Sequence, residues 1–253
     1  MPQPQDHSFV DVLAAEHAEL CSLLDGLDEG EWESATPAEG WTVKDSVSHL
    51  AHTEELARHT ATGGPCSLAN EIERVGQAGV IPAGVDRGRA LSGTEVLAWF
   101  EGAAAYDRAA LGRVDVGLRV PWGLGMSWRS FVTARLMEAW AHGLDIRAGL
   151  ERPAVDSDRL AHIAWLSLGS VPYALSVAGV EPPAGHSLRL ELTGPAGQAW
   201  AYGPEEATDV IRGPAGTWCR RAVQRIAPNE AAAGITCDGP LAELAFRHAR
   251  CFL

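Results

Sequence analysis

Glu138 and His142 stand four residues apart in the segment RLMEAWAHGLDIRAGL, residues 135–150. Four residues is just over one helical turn, so on a helix both side chains leave the same face, one above the other. Asp145 continues that stripe, and Phe131 and Arg135 precede it. An apolar row of Val132, Leu136, Ala139, Gly143, Ile146 and Leu150 runs beside it, which turns this side of the helix toward a core. Carboxylate and imidazole are costly to bury unless something pairs them. A divalent metal would do so, given a third ligand. The earlier segment VKDSVSHLAHTEELARH offers two, His49 and His52, and helix geometry alone does not choose between them.

The elements that must position these groups follow from periodicity and breakers. Residues 8–27 read as a helix with Ser8 as N-cap and Phe9, Val12, Leu13, Leu20, Leu23, Leu24 and Leu27 at helical spacing. Pro37 and Gly40 mark a loop. Thr42 opens the second helix, with Asp45 completing a capping box. Residues 63–93 are irregular, apart from a short helix around SLANEIERV. Thr94 opens a third helix, and Ser127 caps the fourth, which carries Glu138 and His142. Four amphipathic helices imply a bundle, a fold that builds metal sites from inward-facing side chains. A further helix over 156–176, disturbed near Gly169 and Pro172, is assigned to the same domain.

After the Pro/Gly stretch VAGVEPPAG the pattern changes to strands. HSLRLELTGPAGQAWAYG reads as two strands about a turn, Asp209–Gly213 as a third, then a helix through WCRRAVQRI, a short strand and a last helix. The expected fold class is therefore α plus α+β: a helix-bundle domain over 1–181 and a smaller α+β domain over 182–253.

A net charge of −13 argues against non-specific binding to nucleic acid or to an anionic membrane. MPQPQDHSF lacks the basic start and apolar run of a signal peptide, and no apolar stretch reaches bilayer length, so a cytoplasmic protein is expected. The five cysteines, Cys21, Cys66, Cys219, Cys237 and Cys251, are scattered and form no C-x-x-C pair. They are expected as small buried or half-buried thiols rather than a disulfide framework. Arg220 and Arg221 are expected on a solvated helix face. Trp41, Trp122, Trp128 and Trp140 are candidates to line a pocket over the metal, with core filling the simpler role. His7, His17, His59, His162, His186 and His248 are expected as surface or satisfied core residues.

TPAEGWTVKDSVSHLAHTEE followed by RLMEAWAHGLDIRAG resembles the metal-binding domain of the mycothiol-dependent maleylpyruvate isomerase group, within the DinB-like four-helix-bundle superfamily. GPAGQAWAYGPEEATDVIRGPAGTWCRRAVQR resembles the sterol-carrier-like domain that accompanies it. The resemblance implies His49, which precedes Leu-Ala, as the first metal ligand, with Glu138 and His142 as the others. His52 becomes a neighbour. It also implies an arginine that contacts the thiol cofactor, whose nearest match is Arg225, in Ala-Val-Gln-Arg where the isomerases have Gly-Arg.

Two imidazoles and one carboxylate suit Zn²⁺ with an open position, the pattern of a catalytic site. Ni²⁺, Co²⁺ and Fe²⁺ fit the same donors. Asp145 is expected to orient His142 or a bound water. An open metal position lowers the pKa of a bound water or thiol and polarises a carbonyl. The resemblance implies that mycothiol or an equivalent thiol is activated there and adds to an electrophilic carbon, giving S-transfer or cis–trans isomerisation of a small molecule. Two rival readings are a thiol-independent metal-dependent lyase, cyclase or hydrolase and a non-catalytic metal-binding protein, since fold does not fix function. A monomer or homodimer is expected.

Overall fold

Wherever the sequence supplies both an apolar stripe and a start signal, the computed structural model places a helix there. It describes residues 7–252. Most of the segment on which the expectation of no signal peptide rests, residues 1–6, lies outside that range. Two compact units divide between Ala154 and Val155.

The first unit is built on four long helices, α1 (Ser8–Leu24), α3 (Val43–Thr62), α6 (Gly93–Leu111) and α7 (Trp128–Gly149). α1 and α3 each pack against both α6 and α7, so α1 stands diagonally opposite α3. Short helices α2 (Glu29–Trp32), α4 (Leu68–Val75) and α5 (Val80–Arg89) fill the connections. A small antiparallel hairpin, β1 (Arg119–Val120) and β2 (Met126–Ser127), precedes α7. One end of the core joins Leu20, Leu24, Trp32, Val47, Leu50, Phe100 and Ile146. Burial of each such aliphatic side chain contributes about 1.5–3 kcal/mol.

The starts of the two ligand-bearing helices follow the sequence. Thr42 accepts from the Asp45 amide while the Asp45 side chain accepts from the Thr42 amide, and Ser127 accepts from the Ser130 amide. α1 differs from expectation. His7 is its N-cap, no side chain caps it, and Ser8 is already helical.

The irregular stretch 63–93 is mostly helical, α5 included. Val-Ile-Pro-Ala-Gly-Val-Asp-Arg-Gly-Arg has poor intrinsic propensity, but its glycines are used for close approach to α3. A Cβ on Gly88 would stand 1.7 Å from the Ser48 hydroxyl, and one on Gly84 2.6 Å from His52.

In the second unit a four-stranded sheet runs in the order β4-β3-β5-β6, with β3 (Leu188–Thr193), β4 (Ala199–Tyr202), β5 (Asp209–Pro214) and β6 (Thr236–Asp238). β3 pairs antiparallel with β4 and parallel with β5. Helices α8 (Leu160–Gly169), α9 (Val171–Val177), α10 (Ala215–Ala222), α11 (Pro228–Ala231) and α12 (Pro240–His248) complete it. α8 and α9 are the single helix expected over 156–176, broken by a 54° bend. They lie within this unit and not with the bundle, so the division falls earlier than 181/182. The Trp218 indole donates to Ser167 Oγ at 2.7 Å, tying α10 to α8. Among the described residues no single helix is long and apolar enough to cross a membrane.

Other details correct the sequence reading. Arg221 is buried and donates to the Phe246 and Arg247 carbonyls near the end of α12, while Arg220 forks onto Asp156. Neither lies on a free solvated face. Among the described residues none of the five cysteines is in a disulfide, and Cys66 is exposed. α10 ends at Ala222, before the expected Ile226. Gln224 adopts a left-handed φ of 59°, and the Arg225 amide bonds back to Arg220 O at 2.8 Å, a Schellman-type ending.

Asp209 joins the sheet to α12. Gly239 has no side chain to cap that helix, so fully buried Asp209 Oδ2 accepts from the Leu241 amide at 2.6 Å and the Ala242 amide at 3.3 Å. Oδ1 takes His186 Nδ1 at 2.6 Å and the Thr208 hydroxyl at 2.7 Å. Burial alone would raise this carboxyl, but these donors together hold it below the usual aspartate value. Its stabilisation is therefore present above the unfolded pKa of about 3.9 and lost as pH falls through the lower folded value. Asp209→Ala is expected to cost about 2 kcal/mol in the second unit, read as lost hydrogen-exchange protection at the Leu241 and Ala242 amides.

Candidate metal centre

His49 on α3 and Glu138 and His142 on α7 converge. Nε2 of His49 and Nε2 of His142 each stand 3.7 Å from the same oxygen, Glu138 Oε2. One donor atom from each of the three lies within 4.8 Å of the others. Ligands bonded at about 2.0–2.2 Å to a tetrahedral ion are separated by distances close to these. Both imidazoles are buried, whereas the Glu138 side chain keeps 21 % of its exposure, so the centre opens to solvent on the carboxylate side.

The alternatives left by helix geometry separate here. His52 points away from the cluster, with Nε2 3.5 Å from Glu71 on α4 and Gly84 of α5 packed on its ring. Its environment fixes α3 to α4 and α5. Asp145 is buried beside His142, its Oδ2 3.2 Å from Nδ1. That placement suits a carboxylate steadying the ring while Nε2 faces the other donors.

Electrostatics prepare the set for a cation. Burial drives the His49 imidazole down to about 4, against the pull of Glu138. For Glu138, burial alone would raise the carboxyl. The His49 contact and the charges of Arg135, His142 and His49 outweigh it and hold the group down at about 2. At neutral pH His49 is thus a neutral nitrogen donor beside an ionised carboxylate, the forms metal ligation requires. His49 Nδ1 makes no hydrogen bond among the described residues, so the ring is held by packing.

Trp41 does much of that packing. Its ring stacks on His142 at 5.7 Å with planes 19° apart, and its centroid is 5.2 Å from that of His49. It is half-buried, a wall of the centre rather than core filling, whereas Trp128 and Trp140 are buried. Trp122, also half-buried on the hairpin, covers the Arg135 guanidinium at 4.9 Å. The expectation of core filling fails at Trp41 because it precedes the α3 cap in a loop, where periodicity assigns no face.

Arg225 lies in the second unit just after α10, and its Nη1 donates to Val223 O at 2.8 Å. Further charged or polar groups gather within the bundle: buried His17 on α1, Glu54 on α3 and Asp107 on α6, with half-buried Arg108 on α6. Arg108 Nη1 donates to His17 Nδ1 at 2.7 Å, and His17 Nε2 faces Glu54 Oε1 at 3.7 Å. His17 is therefore part of an ionic cluster rather than an isolated core histidine. Burial lowers it to about 4.

Known proteins provide the context. The model of the mycothiol maleylpyruvate isomerase N-terminal domain matches residues 13–147. Two uncharacterised proteins of Mycobacterium tuberculosis, from strains CDC 1551 / Oshkosh and ATCC 25618 / H37Rv, are each 37 % identical over 225 residues, covering 86 % of this chain and 85 % of theirs. Crystal structures of the mycothiol-dependent maleylpyruvate isomerase and of a mutant of it share the fold. Each has a TM-score of 0.59 at 18 % identity, over 92 % of this chain and 94 % of the other. The family model spans α3 and nearly all of α7, the helices that bring His49, Glu138 and His142 together, and the chain belongs to the mycothiol maleylpyruvate isomerase N-terminal domain family.

Proposed function

We propose that this protein is a metal-dependent enzyme of small-molecule metabolism that uses a low-molecular-weight thiol, mycothiol or an equivalent, for S-transfer to an electrophilic carbon or for cis–trans isomerisation of an activated alkene. The observation that carries the reading is the convergence of two imidazole nitrogens and one carboxylate oxygen where the carboxylate reaches solvent. His49, Glu138 and His142 hold the ion, with zinc expected and nickel, cobalt or iron compatible. A bound divalent metal supplies a thiolate near neutral pH and polarises a carbonyl.

The chain's own residues set the rest. Asp145 fixes the His142 ring, and Trp41 closes one wall against water. Arg225 is the thiol contact by resemblance to the isomerases. Asp145→Asn is expected to weaken metal binding by about 10–100-fold, read by competition with a chromophoric chelator.

The functional test is turnover of a maleylpyruvate-like and a haloaromatic electrophile by metal-loaded protein, with and without mycothiol. Turnover only with thiol is expected. Equal turnover without thiol replaces this reading with direct Lewis-acid chemistry, and stoichiometric metal with no turnover across the panel replaces it with a binding protein.

A further inference from the structure

The two ligand histidines are not held alike. His142 Nδ1 stands 3.2 Å from Oδ2 of buried Asp145, the carboxylate support common to metal-bound imidazoles. His49 lacks such support, since its Nδ1 makes no hydrogen bond among the described residues. Aromatic rings stand against it instead. The His49 centroid lies 4.9 Å from that of His142 and 5.2 Å from that of Trp41, and Trp41 lies 5.7 Å from His142, so each ring meets the other two.

A main-chain clamp fixes the indole. Ala35 and Thr42 form an antiparallel bridge, and the Val43 amide donates to Ser34 O at 2.9 Å. Within the loop so closed, the Trp41 amide donates to Ala38 O at 3.0 Å. The Trp41 carbonyl accepts from the Thr36 amide at 2.9 Å and from the Thr36 hydroxyl at 3.1 Å. Both backbone groups of Trp41 are therefore spent immediately before the α3 cap at Thr42. The loop also lies on α7. A Cβ on Gly149, seven residues beyond His142, would stand 2.8 Å from Ala35 O and 3.3 Å from Thr36 Cγ2. The loop thus bridges the helix that carries His49 to the helix that carries His142, and it fixes the indole relative to both.

We propose that Trp41 is a positioning residue of the metal centre. It orients the His49 ring where a hydrogen bond is lacking, and it favours the metal-loaded over the empty histidine pair. Imidazole rings bonded to a cation become electron-poor, and the negative face of an indole attracts such rings more strongly than neutral ones. Leucine fills much of the same volume without that face, whereas phenylalanine keeps a weaker one. The proposal rests on the metal-centre reading, and its test separates the failure of one from the failure of the other.

Cobalt(II) is the probe, titrated into metal-free full-length protein. Calorimetry reads the affinity, and the visible d–d absorption reads the ligand geometry. Trp41→Leu is expected to weaken cobalt binding about tenfold and to alter the absorption. Trp41→Phe is expected to recover most of the loss and the wild-type spectrum. Gly149→Ala leaves every ring unchanged but displaces the loop, so it is expected to weaken binding in wild type and to add nothing in Trp41→Leu.

Wild-type affinity and spectrum in Trp41→Leu overturn the proposal and leave the ligand set standing. Equal losses in Trp41→Leu and Trp41→Phe do the same. If Trp41→Leu does not fold, Gly149→Ala decides, and wild-type values there overturn the proposal. A wild type that binds no cobalt overturns the metal-centre reading and this proposal with it, an outcome distinct from every other.

Discussion

Glu138→Gln is expected to give a protein that folds but no longer carries stoichiometric metal. Both Nε2 atoms of the histidine pair face one oxygen of this carboxylate, so the substitution removes the only anionic donor of the three and the atom on which they converge. An amide oxygen is a neutral, weaker donor, and its NH₂ end would face the imidazoles. Changes to residues that merely support a ligand cost about 10–100-fold in affinity, so loss of the ligand is expected to exceed about 100-fold. The fold has little reason to fail, because Glu138 is partly exposed and the α7 cap and apolar row are untouched. Elemental analysis after dialysis reads the metal. Melting with added zinc gives an independent measure, because a ligand at 100 times its Kd stabilises by about 2.7 kcal/mol. Wild type is expected to shift and the variant to stay. Full metal in Glu138→Gln would remove the ligand set.

The centre was more legible in the sequence than the fold around it, for a physical reason. Glu138 and His142 lie one turn apart on one helix, and local spacing is what a sequence states directly. The Thr42/Asp45 box and the Ser127 cap are equally local, and both appear as hydrogen bonds. The choice of His49 over His52 depends on which neighbours α4 and α5 supply, and only the resemblance decided it beforehand. α5 was hidden because Pro82, Gly84 and Gly88 read as breakers, while the packing of Gly84 and Gly88 on His52 and Ser48 overrides propensity. α8 and α9 were assigned to the bundle because periodicity reveals an apolar face but not what covers it. The bond from Trp218 to Ser167 spans 51 residues and leaves no local signature. Glu54 and Asp107 were missed for the opposite reason. An acidic residue in an amphipathic helix normally marks the solvent side, and here both are fully buried.

That buried pair carries the second large expectation, an asymmetry between two carboxyl groups in contact. Burial and the neighbouring Glu54 raise the Asp107 carboxyl well above its usual value, with Arg135 and Arg108 opposing. Asp107 is therefore the carboxyl that favours its protonated form, and Glu54 is the acidic side chain that Arg135 and His17 face. Asp107→Asn keeps a donor of nearly the same shape in that place, so it is expected to be neutral or stabilising at pH 7. Glu54→Gln removes the carboxylate and strands the Arg135 guanidinium, and breaking a buried pair from one side costs about 3–5 kcal/mol. The pH dependence has a definite sign. Where the native state keeps a proton that the unfolded chain releases, stability falls as pH rises from the unfolded aspartate value of about 3.9 toward the raised native one. Asp107→Asn abolishes that contribution, so its advantage over wild type is expected to grow across this window and then level off. Urea melts of wild type and both variants from pH 4 to 8, followed by hydrogen exchange in the bundle helices, read both effects. Equal destabilisation by the two substitutions would mean that Asp107 is ionised in the native bundle and that Arg108 and Arg135 outweigh its burial.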